Sequence, residues 1–163
     1  MKSEEKFILK KIVSGGQSGV DRAALDAAIK TKIACGGYIP KGRLAEDGRI
    51  NAKYPLTETY SSNYGVRTRL NIKYSCATLI IKEGELEGGT LFTFNVCKKL
   101  KKPVKIVDLQ DGHIVEEIKK FIEEYFPETL NIAGPRESKK PGIYKKSLKI
   151  LLKVLTKKTF LLH

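Results

Sequence analysis

The sequence predicts an α/β fold of three layers, a mostly parallel sheet of about five strands with helices on both faces. Two observations carry this. Short apolar, strand-like runs alternate with helix-like segments five times along the chain, and parallel neighbours need crossover connections of that kind. Ala77 to Lys82 is also almost wholly apolar, the mark of a strand buried on both faces of a parallel sheet. At 163 residues, with no internal repeat and no linker-like stretch, one domain spanning 1–163 is expected.

Lys10 to Ser14 reads as the first strand and runs into Ser14-Gly15-Gly16-Gln17-Ser18-Gly19. In the helix that follows, Val20, Ala23, Ala24, Ala27 and Ala28 mark one buried face, whose small side chains allow close approach to a sheet. Ile33 to Ile39 is the second strand, followed by a long polar loop from Pro40 to about Thr59. Ser62 to Tyr74 follows as a helix, with Gly65 inside it at a cost of up to about 1 kcal/mol relative to Ala. The apolar strand ends in the loop Gly84 to Thr90, after which a helix carries Phe92, Val96, Cys97 and Leu100 on one side. Val104 to Val107 is a strand, and Ile114, Ile118, Phe121, Ile122 and Tyr125 mark an amphipathic helix. Leu130 to Ala133 is the last strand, leading into Gly134-Pro135-Arg136-Glu137-Ser138. A final helix from near Pro141 is expected to bury Tyr144, Leu148, Leu151, Leu152 and Leu155.

Composition excludes several classes. Hydrophobic residues at 41% and charged residues at 30% fit a globular domain rather than a disordered or fibrous one. The apolar run Phe7 to Leu9 is too short for a signal peptide, and no stretch approaches the roughly 20 apolar residues that span a bilayer. Cys35, Cys76 and Cys97 are odd in number and lack metal-ligand spacing, which favours a reducing cytosol. The net charge of +13 is concentrated late: from Arg136 to Lys158 nine residues are basic and only Glu137 is acidic. That segment is open to two readings, a solvated lysine-rich helix face or a nucleic-acid contact.

Three glycine-bearing loops fall at strand ends, where open α/β sheets bind ligands. In the first, Gly15, Gly16, Gln17, Ser18, Gly19 and Arg22 surround a helix start, so the backbone is able to approach an anion closely. The pattern is neither the dinucleotide GxGxxG nor the Walker P-loop. Ser18 and Asp21 have capping-box spacing, so Asp21 reads first as a helix cap. Gly88, Gly89 and Thr90 repeat the arrangement, and in the third loop Gly134, Arg136 and Ser138 offer a phosphate clamp, with an Arg136–Glu137 salt bridge as the alternative. Lys41 lies in the long loop with Arg43, Glu46 and Asp47; of Arg67 and Arg69, two apart on a helix, one is expected to face the site. His113 lies in a turn and His163 is the last residue, so a histidine-based triad finds no support and no catalytic residue is assigned. Each glycine loop also has a plain structural reading as a tight strand-to-helix turn.

The blocks Ser14-Gly-Gly-Gln-Ser-Gly-Val-Asp-Arg-Ala-Ala-Leu-Asp26, Cys35-Gly-Gly-Tyr-Ile-Pro-Lys-Gly-Arg43, Ala45-Glu-Asp-Gly48, Gly88-Gly-Thr90 and Asn131-Ile-Ala-Gly-Pro-Arg-Glu-Ser138 resemble, in order and spacing, the molybdenum carrier family. The likeness covers most of the chain, with Ser18 where Thr is common. It implies a Rossmann-like branch related to the lysine-decarboxylase-like (LOG) phosphoribohydrolases and the DNA-processing A proteins. It also implies a cytoplasmic carrier of molybdenum cofactor, a pterin with a phosphate tail, or of a related phosphorylated small molecule. Related proteins commonly pair, so a homo-oligomer is expected. Two alternatives stand beside the carrier: a nucleotide phosphoribohydrolase, against which Thr93 occupies the place of the catalytic Glu of the LOG motif, and a nucleic-acid module.

Overall fold

Ile12 and Val13, β-branched and buried, form the core of β1 (Lys11–Val13), the first strand of a five-stranded sheet. The computed structural model describes residues 9–156; Phe7, Lys157, Lys158 and His163 lie outside the described residues. Helix α1 (Val20–Lys30) follows, and Val20, Ala23, Ala24, Ala27 and Ala28 are all buried, as their spacing predicts.

The single second strand expected over Ile33 to Ile39 is two strands, β2 (Ala34–Gly36) and β3 (Tyr38–Ile39). The break is at Gly37, whose φ is 132° and where a Cβ would lie 2.1 Å from the Ser14 carbonyl oxygen. Past it the chain turns away from β1. The loop after Ile39 also carries more structure than its polarity predicts. It holds a hairpin of β4 (Leu44–Ala45) and β5 (Gly48–Arg49), and then β6 (Thr57–Glu58), which pairs with β3 in parallel.

The remaining elements are α2 (Tyr64–Lys73), β7 (Ala77–Lys82), α3 (Gly88–Lys99), β8 (Val104–Asp108), α4 (Ile114–Tyr125), β9 (Thr129–Ala133) and α5 (Ile143–Val154). Because α2 starts at Tyr64 under an Asn63 cap, Gly65 lies in its first turn and not in its interior. Leu100 and Tyr125, expected on buried faces, are 42% and 46% exposed; both sit at or beyond helix C-termini, where the buried stripe runs out. In α5 the buried face is Ile143, Ser147, Leu151 and Val154, continued by Leu155, while Tyr144, Leu148 and Leu152 are half-buried.

The sheet is parallel throughout, in the order β2-β1-β9-β7-β8. Counted from β9 as strand one, that order becomes 3-2-1-4-5, the Rossmann order. The chain is thus a circular permutation of that fold, with its first strand supplied last. Ala77, Leu79 and Ile81 of β7 pack in one cluster with α1, α4 and α5, while the opposite face of the sheet carries α2 and α3, with Ile72, Val96 and Cys97 buried. That alternation gives three layers. No helix among the described residues is long and apolar enough to cross a membrane.

Candidate functional site

The carboxyl ends of β1, β9 and β7 lie side by side, so the three glycine loops meet along one edge of the sheet. The crevice between β9 and β7 is the switch point of the Rossmann order, where ligands bind. Gly19 locks two of the loops together. Its φ is 80°, a Cβ there would lie 2.4 Å from the Pro135 carbonyl oxygen, and the next amide, Val20 N–H, donates to that oxygen at 3.2 Å.

The first loop directs most of its N–H groups inward. Gly16 N–H donates to Ser14 Oγ (3.3 Å), Gln17 N–H to Asp21 Oδ2 (3.3 Å) and Ser18 N–H to Gln17 Oε1 (3.0 Å). The capping box expected from Ser18 and Asp21 does not form: the N-cap residue is Gly19, and Asp21 serves Gln17 and Arg67 instead. Arg67 Nη1 lies 3.2 Å from Asp21 Oδ2, in the space a side chain at Gly15 would fill. Burial pushes the Asp21 carboxyl up, against the pull of Arg67 and the Gln17 N–H. Gln17 is 5% exposed, and its Nε2 has no hydrogen-bond partner among the described residues; Arg67 Nε is likewise unpartnered.

The second loop differs. Glu87, not Thr90, precedes the helix, so Gly88, Gly89 and Thr90 form the first turn of α3. Their three N–H groups have no acceptor among the described residues, and such groups, with the helix dipole, favour an anion. A Cβ at Gly88 would lie 3.0 Å from Lys139 Nζ, and one at Gly84 3.4 Å from Lys140 Nζ. Thr93, one turn on, is buried and its hydroxyl donates to the Gly89 carbonyl oxygen at 2.9 Å.

The third loop is filled by carboxylates of the protein itself. Glu137 does not pair with Arg136; its oxygens accept from Gly142 N–H (2.6 Å) and Tyr144 N–H (3.0 Å) at the start of α5. Glu46, in the turn of the β4–β5 hairpin, accepts from the Ser18 hydroxyl and from Ser138 N–H (3.1 Å) and hydroxyl, with Arg136 Nε at 3.9 Å. Partial burial works against ionisation of Glu46, but the hydrogen bonds from Ser138 and Ser18 outweigh it and hold the carboxyl below its ordinary range. Beside it, Arg22 bonds the Gly16 carbonyl and pairs with Asp47 at 3.0 Å, and Asp26 accepts from the hydroxyls of Tyr54 (2.6 Å) and Tyr144.

The structure thus sorts the expected site residues. Gln17, Gly88, Gly89, Thr90, Gly134 and Arg136 line a cleft of about 240 Å³ at the switch point, as does Arg67 but not Arg69. Ser18, Gly19, Arg22 and Ser138 line a neighbouring, wider groove instead. Gly15, Gly16 and Lys41 line neither. Sequence reasoning missed Lys139 and Lys140 as cleft residues, because it merged them with the lysines of α5. The available signal was Pro141-Gly142, which separates them from that helix and leaves them in the loop.

A family model described as the circularly permutated YpsA SLOG family (cpYpsA) matches residues 12–155. No curated protein matches the chain. Among solved structures, the crystal structure of a "Putative molybdenum carrier protein" from Syntrophus aciditrophicus is similar, with 44% identity, a TM-score of 0.84, and coverage of 93% of this chain and 98% of that one. The permuted strand order, read from the sheet alone, agrees with the family's description, and the chain belongs to the circularly permuted YpsA branch of the SLOG family.

Proposed function

We propose that this protein binds and carries a phosphate-bearing small molecule in the switch-point cleft, and that the cargo is molybdenum cofactor or a related phosphorylated metabolite. The observation that carries the reading is the first turn of α3. Its three N–H groups lack acceptors, and Lys139 stands over Gly88. Of the three loops it is the one with three consecutive N–H groups that lack an acceptor among the described residues. Arg136 and the unpartnered, buried Gln17 Nε2 add donors from the other two loops, and buried donors of this kind call for an acceptor.

This donor set fits a phosphate tail. Among the described residues no group of three His, Cys, Asp or Glu side chains is placed to hold a metal ion. Molybdenum therefore enters this reading as cargo already chelated by its pterin, recognised through the phosphate. The similar protein named as a molybdenum carrier supports that choice. The reading places the protein in the cytosol, where its three unpaired cysteines stay reduced, and as a homo-oligomer. Tyr64, at the cleft and 42% exposed, and Leu91, 39% exposed on α3, offer apolar surface to a second copy.

Thermal unfolding against AMP, GMP, molybdate, molybdenum cofactor and a short single-stranded DNA tests it. A ligand at about 100 times its dissociation constant adds roughly 2.7 kcal/mol, a shift of several degrees. The cofactor is expected to produce that shift and molybdate none. Gly89→Asp provides the control, since no atom lies within 4 Å of a Cβ at Gly89 and the fold should persist. A carboxylate there is expected to lower affinity for the phosphorylated ligand at least about tenfold, roughly 1.4 kcal/mol. Unchanged affinity would show that the phosphate does not sit at α3.

A further inference from the structure

The loop after β9 follows the strand that stands first in the Rossmann order, the place where such sheets hold phosphate. Here that place is taken. The Glu46 carboxylate accepts from the Ser18 hydroxyl and from the N–H and hydroxyl of Ser138, and Arg136 Nε lies 3.9 Å away. Three donors and a guanidinium converging on two oxygens form an oxyanion cradle, and the side chain in it is 19% exposed. The donors come from two loops joined through Gly19. The carboxylate comes from Glu46-Asp47, a two-residue turn between strands of two residues each.

We propose that Glu46 is a displaceable internal anion, and that an acidic group of the ligand, a phosphate, takes its place in the Ser18/Ser138/Arg136 cradle. The idea rests on the binding function above and extends it. The ligand then carries two acidic groups, or one phosphate-linked pair, that reach from the first turn of α3 to Ser138. Arg136 is shared, since it lines the α3 cleft and also faces Glu46. Displacement removes the carboxylate tie on the hairpin turn and leaves two weaker constraints on its position, Gln17 Oε1 on the Glu46 N–H (2.8 Å) and Arg22 on Asp47. Loading of the cleft and movement of the hairpin are thereby linked. A ligand with a single acidic group is expected to leave the hairpin in place.

The test uses inorganic phosphate as the probe and calorimetric titration as the readout, in a Gly89→Asp background that removes the α3 contribution. Adding Glu46→Gln is expected to tighten phosphate binding at least about tenfold over Gly89→Asp alone, because the competing carboxylate is lost while the donors stay. Adding Ser138→Ala on top of Glu46→Gln should return the affinity to the starting level. Asp47→Asn, the same change of charge one residue away, should alter it by less than about twofold. Glu46→Ala, which removes the side chain altogether, is expected to behave as Gln does. An equal gain from Asp47→Asn, indifference to Ser138→Ala, or absence of phosphate binding in the Glu46→Gln protein would each overturn the proposal. Failure of the α3 reading is a separate outcome: the wild type and Gly89→Asp would then bind phosphate alike.

Discussion

Ser147 is the clearest case of one residue set against its surroundings. It is fully buried on the inward face of α5, and its hydroxyl has no hydrogen-bond partner among the described residues. A buried, unpaired hydroxyl costs free energy and adds only the small volume of Ser. Ser147→Ala is therefore expected to raise stability by about 1 kcal/mol, read as a higher denaturant midpoint with an unchanged slope. At this scale the sequence was legible in part. Gly88, Gly89 and Thr90 could be located as glycines and a hydroxyl at a helix start. Whether Gly16 or Ser18 keeps a free N–H could not, because the acceptors that take those groups, Ser14 Oγ and Gln17 Oε1, depend on side-chain direction. The contacts of Glu46 with Ser18 and Ser138 join residues 28 and 92 positions apart, and no local pattern encodes such contacts.

Elements were more legible than residues where burial is one-sided or complete. The bounds of β7 could be read to the residue, because a strand covered on both faces is apolar along almost all its length. The face of α1 followed from its alanines. Irregular pairing was lost: β3, β4, β5 and β6 have two residues each and no periodicity to detect. In α5 the sequence offers two overlapping leucine-rich stripes, and contact with α1 selects the one through Ile143, Ser147, Leu151 and Val154. That choice is measurable. Leu151→Ala is expected to cost about 2–5 kcal/mol, and Leu152→Ala at its half-buried position about 1 kcal/mol, by equilibrium denaturation. Equal losses would mean that α5 turns its other stripe inward.

For the whole molecule, the fold class follows from alternation of strands and helices, but strand order does not. Nothing local in Thr129–Ala133 states that this strand lies between β1 and β7. Its apolar residues are those of any buried strand, and its position is fixed only by pairing with Ile12 and Leu79. Because β9 joins the two halves of the sheet, a chain ended at residue 127 has no middle. Such a chain is expected to lack cooperative thermal unfolding and to bind dyes that report exposed apolar surface. Cooperative melting of that fragment would mean that β1 and β7 are able to pair directly.

The late arrival of the central strand also shapes how the molecule is made. While the chain grows, β1-β2 and β7-β8 leave the ribosome as two separate pairs, and the edges of β1 and β7 that will meet β9 are open. At synthesis rates of about 5–20 residues per second, the stretch from β8 to β9 takes roughly 1–4 s. For that interval two apolar strand edges stand ready to pair with any extended chain nearby. This chain thus leaves those edges open for longer during synthesis than a Rossmann sheet that lays down its middle strand first.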